Sequence, residues 1–135
     1  MTIRQRMASR TQGTPRQPPP GQQGIPGPPG PPGTLTNVTV DTPPFDVPAP
    51  GAGAEIFVLV DTLAGTWTDG GDVVLPAVPV ANSIINVKDI GGNAQVKTID
   101  IQGNGFLIEG VATLTLEVNG ASFRLFFDGT AYWIV

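Results

Sequence analysis

A glycine at every third position of one short segment constrains this chain more than any other feature. The segment reads GQQGIPGPPGPPGTL from position 21, and its glycines are Gly21, Gly24, Gly27, Gly30 and Gly33. Three polyproline-II strands wind together only if each turn places glycine at the crowded axis. The period therefore predicts a collagen-like triple helix over residues 21–35, and with it a homotrimer. The alternative is a flexible Pro-rich linker with spaced glycines.

A triple helix this short needs a neighbouring trimeric unit that brings the three chains together by raising their effective concentration. Residues 34–135 are the candidate, because they hold nearly all the large apolar side chains and are enough for one small domain. We therefore expect four parts. They are a basic extended arm (1–20), the triple helix (21–35), an extended Pro-rich segment with a first strand (36–54) and a trimeric β-domain (55–135).

Residues 34–135 have the pattern of an all-β domain. Period-2 alternation and turn signals such as Asn119-Gly120 and Asp128-Gly129 predict an antiparallel β-domain rich in hairpins. TIDIQG at 98–103 matches TLEVNG at 115–120 in residue type, which suggests two similar hairpin strands. The predicted strands cover 36–40, 55–61, 72–75, 83–90, 96–101, 106–109, 112–118, 122–127 and 132–135.

Alternation also selects the side chains of a buried face, and we expect these to form the trimer core. A monomeric β-sandwich is the alternative. The Pro-rich residues 41–54 are expected to cross the surface or run between subunits, because their four prolines forbid a central strand. The trimer-core candidates are Leu114, Leu116, Val118, Phe123, Leu125, Phe127 and Trp133.

The C-terminal half resembles the C-terminal β-domain of bacteriophage fibre proteins. The resemblance is carried by VKDIGGNA at 87–94, TIDI at 98–101, IEG at 108–110 and DGTAYWIV at 128–135, in that order. Such proteins often carry a short collagen-like segment before this domain. The resemblance implies a trimer that is attached to the virion by its N-terminus and directs its C-terminal end outward.

Catalytic and metal sites are not expected. The chain has no His or Cys, and Ser83 and Lys88 would lie on opposite faces of a strand. Asp69 and Asp72 flank Gly70-Gly71, a pattern typical of a solvated turn, although a carboxylate pair or a Ca²⁺ site there is an alternative. Lys88 and Asp89 are expected to be exposed strand charges. We predict no enzyme activity and no cofactor.

Charge separates the arm from the body. Residues 1–33 contain four Arg and no acid, whereas the rest contains three basic residues and all eleven acids, which gives the net charge of −4. We expect Arg4, Arg6, Arg10 and Arg16 to attach the arm to an acidic groove on a capsid or tail protein. Nucleic acid is not the expected partner, because the arm has no aromatic side chain to stack on bases.

We therefore expect a non-enzymatic phage fibre whose C-terminal tip contacts the host surface, for example its glycans. The short chain favours a head or capsid fibre over a small tail fibre. Neither a secretory signal nor an apolar membrane span is seen, and the absence of Cys fits folding in the host cytoplasm before incorporation on the virion surface. The alternatives are a collagen-like bacterial or spore surface protein with a trimeric β-head, and a depolymerase.

Substitution of Gly27 or Gly30 by Ala should damage the triple helix and leave the β-domain intact. Three added methyl groups, one from each chain, have no room at the axis. We expect the collagen-type circular dichroism signal to weaken while the β-signal persists. An unchanged collagen signal and melting temperature in both variants would show that the segment is a linker.

Overall fold

The structure, a computed structural model, describes residues 34–135, which form nine strands in two sheets and no helix. The all-β prediction is therefore confirmed for this range. The five-stranded sheet contains β1 (Leu35–Val40), β3 (Glu55–Val60), β5 (Ser83–Asp89), β8 (Ser122–Phe127) and β9 (Tyr132–Ile134), in that order. The four-stranded sheet contains β2 (Phe45–Asp46), β4 (Gly71–Val74), β6 (Ile99–Gln102) and β7 (Thr113–Leu116).

The first six strands alternate between the two sheets. The chain crosses from one sheet to the other and back, so that β1, β3 and β5 are parallel neighbours in one sheet and β2, β4 and β6 are parallel neighbours in the other. Parallel neighbours require a crossover connection of about a dozen residues or more. The Pro-rich residues 41–54 provide the first such crossover and contribute β2 on the way.

The domain was predicted to be antiparallel, and this prediction is wrong for most of its strand pairings. Of the seven pairings between residues 34 and 135, four are parallel. Only the pairs β5–β8, β6–β7 and β8–β9 are antiparallel. The reason is that alternation and turn residues specify where a strand begins and ends, but not which strand lies beside it.

No helix among the described residues is long and apolar enough to cross a membrane.

The two predicted tight turns have different outcomes. Asp128-Gly129 joins the antiparallel strands β8 and β9, as expected for a hairpin. Asn119-Gly120 instead lies between β7 and β8, which belong to different sheets. The similar segments around β6 and β7 pair as antiparallel neighbours, with Ile99 opposite Leu116.

The core lies between the inward faces of the two sheets. Along β3, the inward residues Ile56, Val58 and Val60 are buried while Phe57 and Leu59 on the other face are half-buried. Each fully buried side chain of this size contributes roughly 1.5–3 kcal/mol. Side chains from both sheets and from the loops complete the core, among them Trp67, Val73, Leu75, Ile85, Val87, Ile99, Ile101, Ile108, Leu125 and Phe127.

Residues 106–109, predicted as a strand, form only single bridges through Ile108, to Val111 and to Tyr132. The end of the chain packs on this segment. Tyr132 is completely buried against the ring of Phe127, with 4.8 Å between the centroids. Of the last four side chains, Tyr132 is thus buried, whereas Trp133, Ile134 and Val135 are exposed.

Substitution of Tyr132 by Phe should leave stability unchanged or raise it by about 1 kcal/mol. The buried Tyr132 hydroxyl has no hydrogen-bond partner among residues 34–135, so its removal deletes an uncompensated polar group. Substitution by Ala should cost about 3–5 kcal/mol, because it leaves a cavity. Urea unfolding of both variants at one protein concentration measures the difference. A large loss in Tyr132→Phe would contradict the unpaired hydroxyl.

Burial also raises the pKa of Tyr132 to about 12. Its unfolded value is 10.0, so the stability contributed by the neutral phenol should be present below pH 10 and lost as pH rises toward 12. Tyr132 is the chain's one tyrosine, so the absorbance of tyrosinate reports this residue alone. Tyr132→Phe should show a weaker decline in stability over the same pH range.

Candidate functional site

Two of the predicted sites lie outside the described residues. The attachment arginines Arg4, Arg6, Arg10 and Arg16 and the triple-helix glycines between positions 21 and 33 all fall in residues 1–33. The attachment arm and the collagen-like triple helix therefore stay predictions. The sites that can be described are those on the β-domain.

Five of the seven trimer-core candidates contribute to the core of a single chain. Leu116, Leu125 and Phe127 are buried there, and Leu114 and Phe123 are half-buried against it. The alternation that selected them therefore marks the inward faces of β7 and β8. Side chains that one chain already buries are not free to contact another.

The other two candidates are exposed. Val118 follows β7 and is 62% exposed, and Trp133 in β9 is 43% exposed. The Trp133 indole Nε1 donates to Asp128 Oδ2 at 2.8 Å, which fixes the ring beside the β8–β9 turn. Trp133 is thus held in place and still available to a partner.

The Asp69–Asp72 segment forms a hydrogen-bonded turn. Asp69 Oδ1 accepts from the backbone nitrogen of Thr98 at 3.1 Å and from its hydroxyl at 2.9 Å, and these bonds lower the pKa of Asp69. Asp72 accepts from Gln102 Nε2 at 2.8 Å. An open cleft of about 230 Å³ lies here, and Asp69 does not line it; its lining residues are Pro43, Pro44, Thr68, Gly70, Gly71 and Asp72.

The cleft thus presents one carboxylate rather than a pair. Within residues 34–135, no three side chains of the types Asp, Glu, His and Cys are grouped so that they could hold a metal ion. Ser83 is buried and donates to the Val80 carbonyl at 2.6 Å. Lys88 lies on the opposite face of β5, as predicted, and its ammonium donates to the Gly120 carbonyl.

Asp89 is the side chain whose placement the sequence interpretation got wrong. It was expected to be exposed, but it is 1% exposed at the end of β5, because it shares the inward face with Ile85 and Val87. Asp89 Oδ1 accepts from Thr62 Oγ1 at 2.5 Å and from the Gly92 nitrogen at 3.0 Å. A buried carboxylate is tolerated only with such partners.

The other carboxylate oxygen binds two more backbone groups. Asp89 Oδ2 accepts from the nitrogens of Gly120 at 2.9 Å and Ala94 at 3.1 Å. The Thr62 hydroxyl in turn accepts from the Asn93 nitrogen at 3.0 Å. One carboxylate therefore holds the loop after β3, the loop after β5 and the turn before β8.

Gly91 allows the loop after β5 to approach the loop that contains Thr62. A Cβ atom at Gly91 would lie 2.4 Å from the backbone nitrogen of Leu63 and 2.6 Å from that of Thr62. Any other residue would push the loop away from Thr62 and so from Asp89. The GGNA sequence after Asp89, part of the motif that resembles phage fibres, thus has a structural role in this chain.

The outward faces of the two sheets differ in chemistry. On the four-stranded sheet the outward side chains are mainly polar, and this acidic face carries the carboxylates of Asp46, Asp72 and Asp100. On the five-stranded sheet one outward row runs through Leu35, Glu55, Ile84, Phe126 and Trp133 in register. The large apolar side chains of this apolar face are Leu35, Phe57, Leu59, Ile84, Phe126 and Trp133.

Five of these six apolar side chains were not selected from the sequence. The signal was present in β3, whose EIFVLV run is apolar on both faces. A strand that is buried on one side only normally alternates with polar residues, whereas a near-continuous apolar run is typical of strands covered on both sides. β3 therefore has the composition of a strand that is covered on both faces.

Substitution of Asp89 by Asn should destabilise the β-domain by roughly 2–3 kcal/mol, because an amide nitrogen would face backbone donors in place of a charged acceptor. Asp46→Asn, at an exposed position in β2, is the matched control and should have little effect. Urea unfolding at neutral pH and one protein concentration tests both. Equal stability of the two variants would contradict a structural role for Asp89.

The effect of Asp89→Asn on stability should depend on pH. Burial alone would raise the pKa of Asp89, but its four hydrogen bonds together hold the pKa below the ordinary aspartate value of 3.8. A lowered pKa contributes stability that is present above the unfolded pKa and is lost as pH falls through the folded pKa. The difference between wild type and Asp89→Asn should therefore narrow below about pH 4.

Comparison with known proteins does not assign the chain to a family. No protein-family model matches it, and no curated protein is significantly similar to it in sequence. The resemblance to phage fibre proteins stays a prediction.

Proposed function

We propose that this protein is a non-enzymatic structural fibre of a phage particle. Three chains form a trimer, the basic arm anchors it to the virion, and the β-domain projects outward as a tip that contacts the host surface. A capsid or head position suits the short chain better than a tail position. The observation that carries the proposal is the unbroken glycine period from 21 to 33, which ends two residues before the start of β1.

The charge distribution supports the proposed polarity. A trimer would bring twelve arginines, four from each chain, to its N-terminal end and an excess of carboxylates to its β-domains. An acidic groove on the virion would attract the first and repel the second. Arginine suits such a contact because its planar fork makes paired bonds to carboxylates.

The β-domain supports the role of a stable tip. Its core is built from both sheets, and its longest loops are tied down by Asp89 and by the packing of Tyr132. The Asp69–Asp72 turn presents an open cleft with one carboxylate, which suits contact with a surface better than acid–base chemistry on a glycan.

Removal of residues 1–16 should give soluble trimers that no longer enter particles. The mass in sedimentation should be three times that of one truncated chain. The full-length chain with Arg4, Arg6 and Arg10 replaced by Ala should be incorporated less, and the defect should grow with salt because exposed charge pairs are screened. Replacement by Lys, which keeps the charge, is the matched control and should restore most of the incorporation.

Amounts of each variant in purified particles, together with imaging of a C-terminal label, provide the measurement. Normal incorporation of the truncated chain would show that the β-domain makes the attachment, which would reverse the proposed polarity. A label found on the cell or spore envelope, and absent from particles, would favour a collagen-like surface protein instead.

A further inference from the structure

One face of the β-domain is apolar although nothing in the described chain covers it. The outward side chains of the five-stranded sheet include Leu35, 66% exposed, and Trp133, 43% exposed, at the two edges, with Phe57, Ile84 and Phe126 half-buried between them. Six large apolar side chains on an uncovered sheet face, set among polar ones such as Glu55, Asn86 and Lys88, mark a candidate interaction site. Its partner must offer apolar side chains that can cover them.

Three polar side chains within the apolar face, Glu55, Asn86 and Arg124, are paired with one another. Glu55 Oε2 accepts from Asn86 Nδ2 at 2.6 Å and from Arg124 Nε at 3.2 Å, and Arg124 Nη2 lies 3.4 Å from Glu55 Oε1. The bond from Arg124, followed by that from Asn86, lowers the pKa of Glu55. Covering this part of the face would therefore keep Glu55 and Arg124 paired, whereas an unpaired buried charge is the costly outcome of burying ions. The Lys88 ammonium, on the same face, donates to the Gly120 carbonyl.

The acidic face does not meet these conditions. Asp72 and Asp100 lie opposite each other in register, and Asp46 adds a third carboxylate. Packing copies of this face together would place like charges side by side, which disfavours contact between chains. Of the two outward faces, only the apolar face suits packing of identical chains.

The glycine period indicates that the partner of the apolar face is a second copy of this chain. A triple helix that runs to Gly33 places that residue of all three chains at one axis. Extended chain spans at most about 7 Å over two residues. Leu35, which lies on the apolar face, would then be close to the same axis in every chain.

We propose that three copies of this chain pack through the apolar face, with Leu35, Phe57, Leu59, Ile84, Phe126 and Trp133 at the interface. The inference rests on the proposed trimer and specifies the surface that forms it. The acidic face, with the Asp72 cleft, is then directed outward. The Glu55–Arg124 pair becomes covered and fixes the register of each sheet against its neighbours.

Single cysteines test the interface, since the natural chain contains none. Ile84→Cys lies on the apolar face and Val74→Cys on the outward side of the four-stranded sheet. The two positions are matched, because both are half-buried, β-branched and on an inner strand. In the native full-length protein, a maleimide should modify the thiol of Ile84→Cys at least about tenfold more slowly than that of Val74→Cys, because an interface cysteine reacts only when the interface opens.

A charge substitution gives a second, independent measurement. Ile84→Glu should reduce the sedimentation mass from three chains toward one, because three carboxylates would be buried near Glu55. Val74→Glu should remain a trimer. Circular dichroism confirms that each variant keeps its β-structure.

The outcomes separate the two proposals. A wild-type trimer in which both cysteine variants react equally fast, or in which Ile84→Glu leaves mass and stability unchanged, overturns the apolar-face interface and leaves the trimeric fibre standing. A wild-type monomer overturns both, and would mean that a different protein occupies the apolar face.

Discussion

The buried carboxylate of Asp89 is the interaction on which much of the β-domain depends. It ends β5, the strand that joins the parallel and antiparallel parts of the five-stranded sheet, and it binds Thr62, Gly92, Ala94 and Gly120. These donors belong to three separate connections, whose backbone N–H groups have no neighbouring strand to pair with. Because unpaired buried groups are costly, one acceptor with four bonds lets three loops close over the end of the core.

The fold could be predicted from the sequence as far as its local signals reach. Alternation located most strands, among them β6 and β7, which have similar sequences and are paired neighbours. β2 was not predicted, because prolines surround its two residues. Residues 106–109 were predicted as a strand but form a loop that packs through Ile108. The parallel pairing was not predictable in this way, because partner choice depends on where the crossovers lead and not on the residues within a strand.

The candidate sites show the same limit, because the sequence shows the pattern within a strand but not the neighbours of that strand. The alternation of Ser83, Ile85 and Val87 already placed Asp89 on the inward face, but an acid beside a lysine is so often solvated that its charge outweighed its position. Likewise, the EIFVLV run of β3 is apolar on both faces, but nothing within the run indicates what covers the second face. In both cases the pattern was visible, and what was missing was the set of neighbours that only a folded chain provides.

The position of β5 between β3 and β8 governs the order in which the domain can form. Ile84 pairs on one side with Glu55, which precedes it, and on the other with Phe126, far along the chain. Contacts between such distant residues form late in folding, because closing the long loop between them costs entropy. During synthesis, β1, β3 and β5 would therefore be complete before β8 and β9 are made, and the edge of β5 would stay unpaired until then. If the proposed trimer assembles through completed β-domains, the proposed triple helix would wind from the domain back toward the arm, against the direction in which the chain is made.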